Sequence, residues 1–195
     1  PQGETAHRYV MALGRIMRTL TERFPHILFE GCAAGGNRFD LGILCYFPQI
    51  WASDNTDAVS RAYIQEGLSY GYPMSTVSAH VSACPNHQTL RVTPLSTRFN
   101  VAAFGICGYE CNLVDMSKAE RSEIKTQIDI YKKWRHAMQF GSFYRQRTGN
   151  IHQWTVVDEE AGRAVGLIMQ ELVRANTQNE EYYAAGLDPE AVYSF

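Results

Sequence analysis

The chain has 195 residues, 45% of them apolar, and a formal net charge of -2. That is enough to build one domain, or a domain and a half, around a real core; it offers no basic patch of the size nucleic-acid binding needs. No apolar run reaches the roughly 18 residues of a membrane span, and the first residues do not read as a signal peptide.

In chain order, Pro1-Gln2-Gly3 runs straight into a helical pattern, an opening that reads as the start of a fragment. Val10, Leu13, Met17, Leu20 and Phe24 recur at three and four, predicting a helix over 5–24 that Pro25 ends. Ile27-Leu28-Phe29 reads as a short strand, followed by the small-residue turn 30–36. A short helical or irregular segment over 39–48 leads to a strand, Ile50 to Ser53, that ends at Asp54. Thr56 is the expected N-cap of a helix over 57–70. A third strand is expected over 75–81, a loop over 82–93, a helix over 95–104 and a fourth strand over 106–113. Ser117 and Glu120 have capping-box spacing and open a long helix to about Phe140. Helix-period segments between short apolar strands are the grammar of a parallel α/β sheet, and four units make half of an eight-unit barrel. No G-x-G-x-x-G follows a strand, which weakens the doubly wound alternative. After Gly141 the grammar changes to strands over 143–145, 152–158 and 163–172, with a possible further pair over 182–195. The expected division is therefore 1–140, parallel α/β, and 141–195, antiparallel β.

Five cysteines, an odd number without tight pairing, read as free thiols in a reducing cytoplasm. The 12% aromatic content fits either a large core or a sugar-binding cleft. Polar residues mark four strand ends: Glu30 with Cys32, Ser53 with Asp54, His80 with Ser82, and Glu110 with Asn112. Such ends carry the reactive groups of α/β barrels. Asp54, behind Trp51, is suited to proton donation. Asp57 has a structural role available in the first helical turn, with Arg61 four residues on. Cys32 reads either as a nucleophile, which requires a base partner such as His80 or His87, or as a small residue lining a cleft. His80, Cys84 and His87 have metal-like spacing, with Cys107 and Cys111 downstream, although structural zinc sites show tighter paired ligands. Trp134 and Met138 are most simply core.

Phe29-Glu30-Gly31-Cys32-Ala33-Ala34-Gly35-Gly36-Asn37-Arg38-Phe39-Asp40 resembles the E-x-C-x-x-G-G-x-R-F-D segment of glycoside hydrolase family 36. Trp51-Ala52-Ser53-Asp54-Asn55-Thr56-Asp57-Ala58 resembles its W-x-S-D-N-T-D-A. Ser78-Ala79-His80-Val81-Ser82, Pro85-Asn86-His87-Gln88-Thr89, Thr97-Arg98-Phe99, Gly108-Tyr109-Glu110 and Gly186-Leu187-Asp188-Pro189 follow in the family's order.

The resemblance implies a retaining α-galactosidase acting on melibiose and raffinose-type sugars through two aspartates. It implies a TIM barrel between a large N-terminal and a small C-terminal β domain. Residues 1–140 would then be the second half of the barrel and 141–195 part of the C-terminal β domain. By resemblance, Asp54 is the acid/base. Cys32 touches galactose, Gly35 and Gly36 border that subsite, and Trp51 is a further substrate-binding residue. The nucleophile belongs to a Lys-Trp-Asp segment expected before residue 1. No metal or organic cofactor, nucleic acid or membrane is implied; the partner is an oligosaccharide, and the intact protein is expected to be a homo-oligomer. Ala34 stands where many members have Gly, and Asn112 where many have Asp. A galactosyl transferase of the raffinose-synthase type, or a non-catalytic sugar-binding fragment, are the alternatives. With two unpaired sheet edges, the isolated chain is expected to be inactive and to self-associate.

Overall fold

The computed structural model describes residues 1–173, 175 and 180–194. The chain divides into two compact units, Pro1–Asp54 and Asn55–Phe195.

In the first unit, α1 spans Gln2–Arg23 and stops where Pro25 forbids another turn. Met17 is buried from α1, and with Ile43 and Ile50 it centres a core to which Leu13, Phe39, Leu44, Tyr46 and Phe47 contribute. Val10, expected on the buried face, is exposed, as are Tyr9, Met11 and Ile16. Strand β1 is Glu30–Gly31, paired in parallel with β2, Gln49–Trp51, through Glu30↔Gln49 and Gly31↔Ile50. The expected strand at Ile27-Leu28-Phe29 is displaced: Ile27 and Leu28 are exposed, and the ladder begins only where Glu30 meets a partner. Between the strands lies α2, Leu41–Leu44, capped by Asp40 Oδ1, which accepts from Ile43 N at 2.9 Å.

The second unit opens with α3, Ala58–Leu68. A single 3-10 turn, Met74–Thr76, leads into β3, Val77–Ser82, followed by α4, Leu95–Ala102, and β4, Ile106–Glu110. β3 and β4 are parallel from Ser78↔Ile106 to Ser82↔Glu110. Helix α5, Lys118–Phe140, carries both halves of the Ser117–Glu120 capping box. Ala79, Val81, Leu95, Phe99, Ile124 and Met138 form the core under β3 and β4, with Trp134 packed at its edge.

At Gly141 the chain turns into an antiparallel meander: β5, Ser142–Thr148, β6, Ile151–Asp158, and β7, Arg163–Gln170. Alternating residues of β6 and β7 bury Trp154, Val156, Leu167 and Met169 against Ala62 of α3 and Val101 of α4, with Phe104. Trp154 meets the rings of Phe104 and Phe143 edge-on at 5.4 and 5.6 Å, the arrangement that aromatic quadrupoles favour. The strands expected over 182–195 are absent among the described residues there; Phe195 lies outside them. Instead, Tyr182 donates to Trp154 O at 2.9 Å and sits over Gly166, where a side chain would collide with its ring.

Candidate active site

The site grows from the turn after β1. Ala34, Gly35 and Gly36 are left-handed in succession, with φ of 47°, 72° and 89°. Side-chain sterics disfavour that conformation for every residue but glycine, so Ala34 is the strained member. Asn37 holds the turn, its Nδ2 donating to Ala34 O at 3.2 Å and its N–H to Ala33 O at 3.0 Å. The two glycines are also required by proximity. A Cβ on Gly35 would lie 2.8 Å from Asp54 N, and one on Gly36 2.5 Å from Ala52 O. The turn's backbone therefore lies directly on the segment that leaves β2.

Asp54, three residues beyond Trp51, is exposed. Trp51 Nε1 donates to its Oδ1 at 2.9 Å. Trp51 thus meets the carboxyl group with its indole N–H and fixes the side chain's direction. Glu30 Oε2 accepts from Gln49 Nε2 at 2.5 Å, a bond between β1 and β2. Of the residues expected at the site, the fold brings Gly35, Gly36, Trp51 and Asp54 together. Cys32 stands at the entrance of the same turn with a free, exposed thiol. The result is a solvent-facing carboxyl group three residues beyond β2, bonded by the Trp51 indole N–H and flanked by the backbone of Gly35 and Gly36.

The remaining candidates lie in the second unit. Asp57, not Thr56, is the N-cap of α3: its Oδ2 accepts from Ser60 N at 3.2 Å and Ser60 Oγ at 3.0 Å. Its ion-pair partner is Arg91, 34 residues on. Arg61, expected to face Asp57, instead donates from Nε to Asn55 O at 3.0 Å and from Nη1 to Ser78 O at 3.1 Å. His80 Nδ1 lies 3.3 Å from Glu110 Oε2, pairing the ends of β3 and β4. Cys84 Sγ donates to Thr93 O at 3.6 Å. Burial pushes the Cys107 thiol up to about 12, which keeps it protonated and poor as a nucleophile or metal ligand. Among the described residues no group of three or more His, Cys, Asp or Glu is placed to hold a metal ion. Asn112 is structural: its Nδ2 donates to Asp115 Oδ2 at 2.7 Å and its Oδ1 accepts from Val114 N at 3.2 Å.

A family model described as Melibiase matches residues 1–141. The chain belongs to the melibiase family. Within that family it is 47% identical over 195 residues to α-galactosidase AgaA of Geobacillus stearothermophilus, covering 98% of this chain and 27% of that protein. It is 44% identical over 194 residues to α-galactosidase Mel36A of Lactobacillus acidophilus, covering 98% of this chain and 26% of that protein. The crystal structure of the family 36 α-galactosidase AgaA in complex with raffinose matches with a TM-score of 0.93 at 47% identity, over 95% of this chain and 26% of that one. The galactosidase domain of the bifunctional α-galactosidase/sucrose kinase AgaSK of Mediterraneibacter gnavus matches with a TM-score of 0.91 at 42% identity, over 94% of this chain and 26% of that one. The chain spans about a quarter of the length of the curated relatives it matches. The family 36 resemblance holds, and so does the fold class: α/β, the second half of a TIM barrel followed by the start of an antiparallel β domain.

Proposed function

We propose that the protein to which this chain belongs is a retaining α-galactosidase that hydrolyses terminal α-galactosides of the melibiose and raffinose type, with Asp54 as its acid/base. The observation that carries this is the Asp54 carboxyl group, exposed just beyond β2, oriented by Trp51 Nε1 and seated on the Gly35-Gly36 turn. The relatives' names support the activity, and AgaA structures in complex with raffinose and with stachyose support the substrate class.

Retention requires two carboxyl groups about 5–5.5 Å apart across the scissile bond. The second is assigned to an aspartate of a Lys-Trp-Asp segment upstream of residue 1. That carboxylate attacks the anomeric carbon while Asp54 gives its proton to the departing glycosidic oxygen. Asp54 then takes a proton from the water that attacks the same carbon, and the nucleophile carboxylate leaves. Cys32 and Trp51 bind the galactosyl ring, and the Gly35-Gly36 turn borders its subsite. On the same reading, residues 1–140 and 141–195 belong to different domains, and the intact protein is a homo-oligomer. It works in the cytoplasm, where its five free thiols persist.

Asp54→Asn in the complete enzyme tests the assignment. Turnover of raffinose, whose leaving group needs a proton, should fall about 10²–10⁴-fold, while galactosyl-enzyme formation from an activated aryl galactoside should fall far less. Equal, mild losses on both substrates would remove Asp54 from the mechanism.

A further inference from the structure

The three residues that follow Asp54 are each held by a side chain from another element. Asn55 O accepts from Arg61 Nε at 3.0 Å, and the same guanidinium reaches Ser78 O of β3 at 3.1 Å. Thr56 Oγ1 accepts from Asn86 Nδ2 at 3.1 Å. Asp57 pairs through Oδ2 with Arg91. Thr56, Asp57, Arg61 and Asn86 are all buried, between 2% and 5% exposed. Two of the three anchors come from the loop between β3 and α4, whose own shape Asn86 sets by accepting at Oδ1 from Gln88 N and Thr89 N, both at 3.0 Å. Helix capping accounts for the bonds between Asp57 and Ser60. It does not account for Asn86 or Arg91, which approach from about 30 residues away in sequence.

We propose that Asn86 and Arg91, together with Arg61, are positioning residues for the acid/base: by immobilising Asn55-Thr56-Asp57 they fix the backbone from which Asp54 projects. One peptide bond joins Asp54 to this tripeptide. Asp54 on its exposed side has Trp51 as a hydrogen-bond donor to its carboxylate. Release of the anchors lets the carboxyl group drift, and a displacement of about 1 Å costs roughly 100-fold in rate at a reacting group. The inference rests on the assignment of Asp54 as acid/base.

The test uses the full-length enzyme with Arg91→Met, Arg91→Lys, Thr56→Val and, in parallel, Asp54→Ala. Turnover is measured on raffinose and on a dinitrophenyl galactoside, with and without azide. Arg91→Met should lose about 100-fold on raffinose and much less on the aryl galactoside. Azide, which needs no general base to attack the galactosyl-enzyme, should accelerate its turnover of the aryl substrate, and Arg91→Lys should restore most of the raffinose rate. If Arg91→Met fails to fold, Thr56→Val, which removes one anchor and keeps the ion pair, is read in the same way. Equal losses on both substrates, no azide effect, or no loss at all would overturn the positioning role. Asp54→Ala separates the two claims. If it shows leaving-group dependence and azide rescue while the anchor variants do not, only the positioning inference falls. If it shows neither, the reading beneath falls too, and the inference with it.

Discussion

The turn around Asp54 and the cluster around His152 use the same chemical groups to opposite ends. At Asp54 a carboxyl group is exposed and oriented by the Trp51 N–H. At His152 the ring is 0% exposed and wedged between two carboxylates, with Nδ1 2.9 Å from Glu66 Oε2 and Nε2 3.0 Å from Glu171 Oε1. Each ring nitrogen thus lies within hydrogen-bond distance of a carboxylate oxygen. Trp154 Nε1 donates to Glu66 Oε2 at 3.3 Å, Tyr63 donates to Glu171, and Arg147 lies 3.9 Å from Glu66. The cluster ties α3 to the antiparallel sheet and leaves its charges partnered. The contrast is physical. A buried charge must be surrounded by partners or it unfolds its host, whereas a group that exchanges protons with a substrate needs one side open.

Removing a partner should therefore harm the two regions in different currencies. His152→Ala removes the ring that bonds both Glu66, which is buried, and Glu171, which is partly exposed. It should cost about 3–5 kcal/mol, read as amide exchange of β6 accelerated on the order of a thousandfold. Unchanged exchange would mean that the carboxylates find other partners. Gly35→Ala sets a methyl group against Asp54 N and demands a left-handed alanine. It should lower turnover of raffinose by the full-length enzyme about 100-fold, or roughly 2.7 kcal/mol, with little change in β6 exchange. A loss confined to folding would show that the turn serves only the scaffold.

Acid provides a smaller effect with a defined sign. Burial alone pushes the Glu171 carboxyl up, but bonds from Tyr63 and His152 outweigh it and hold the group below its ordinary value. A depressed folded value means that the stabilisation is present above the unfolded value of about 4.3 and is lost as pH falls through the folded one. Near-UV signals of the sheet should weaken with acid, and Glu171→Gln should make that loss less steep; an unchanged profile would assign acid sensitivity elsewhere. The smallest effect is expected at Ala34→Gly. Relief of a left-handed alanine is worth about 1 kcal/mol, partly offset by the greater freedom of glycine in the unfolded chain. A melting temperature that rises slightly supports the strain; a clear fall contradicts it.

The isolated chain is expected to show no galactosidase turnover and to self-associate. Tyr9, Val10, Met11 and Ile16 leave apolar surface open on α1. Turnover by residues 1–195 alone would mean that another carboxylate, such as Glu30, serves as nucleophile.

Much of this was legible in the chain itself. Helical periodicity located α1, the capping-box spacing of Ser117 and Glu120 announced α5, and the change of grammar after Gly141 announced the meander. These signals are local, carried by neighbours within four residues. The glycine pair at 35–36 marked the candidate turn for the same reason: close backbone approach excludes side chains, and that exclusion is written in residue type; the W-x-S-D segment stood out through its family resemblance. Tertiary structure alone decided which cation met which anion. Arg61 was placed beside Asp57 by helical spacing, yet its guanidinium went to Asn55 and Ser78, and Asp57 went to Arg91. Asn86 figured only as one letter of a motif, and His152 as the first residue of a strand. Long side chains choose partners by where separate elements bring them, a matter of angles and distances between segments that no spacing along the chain encodes.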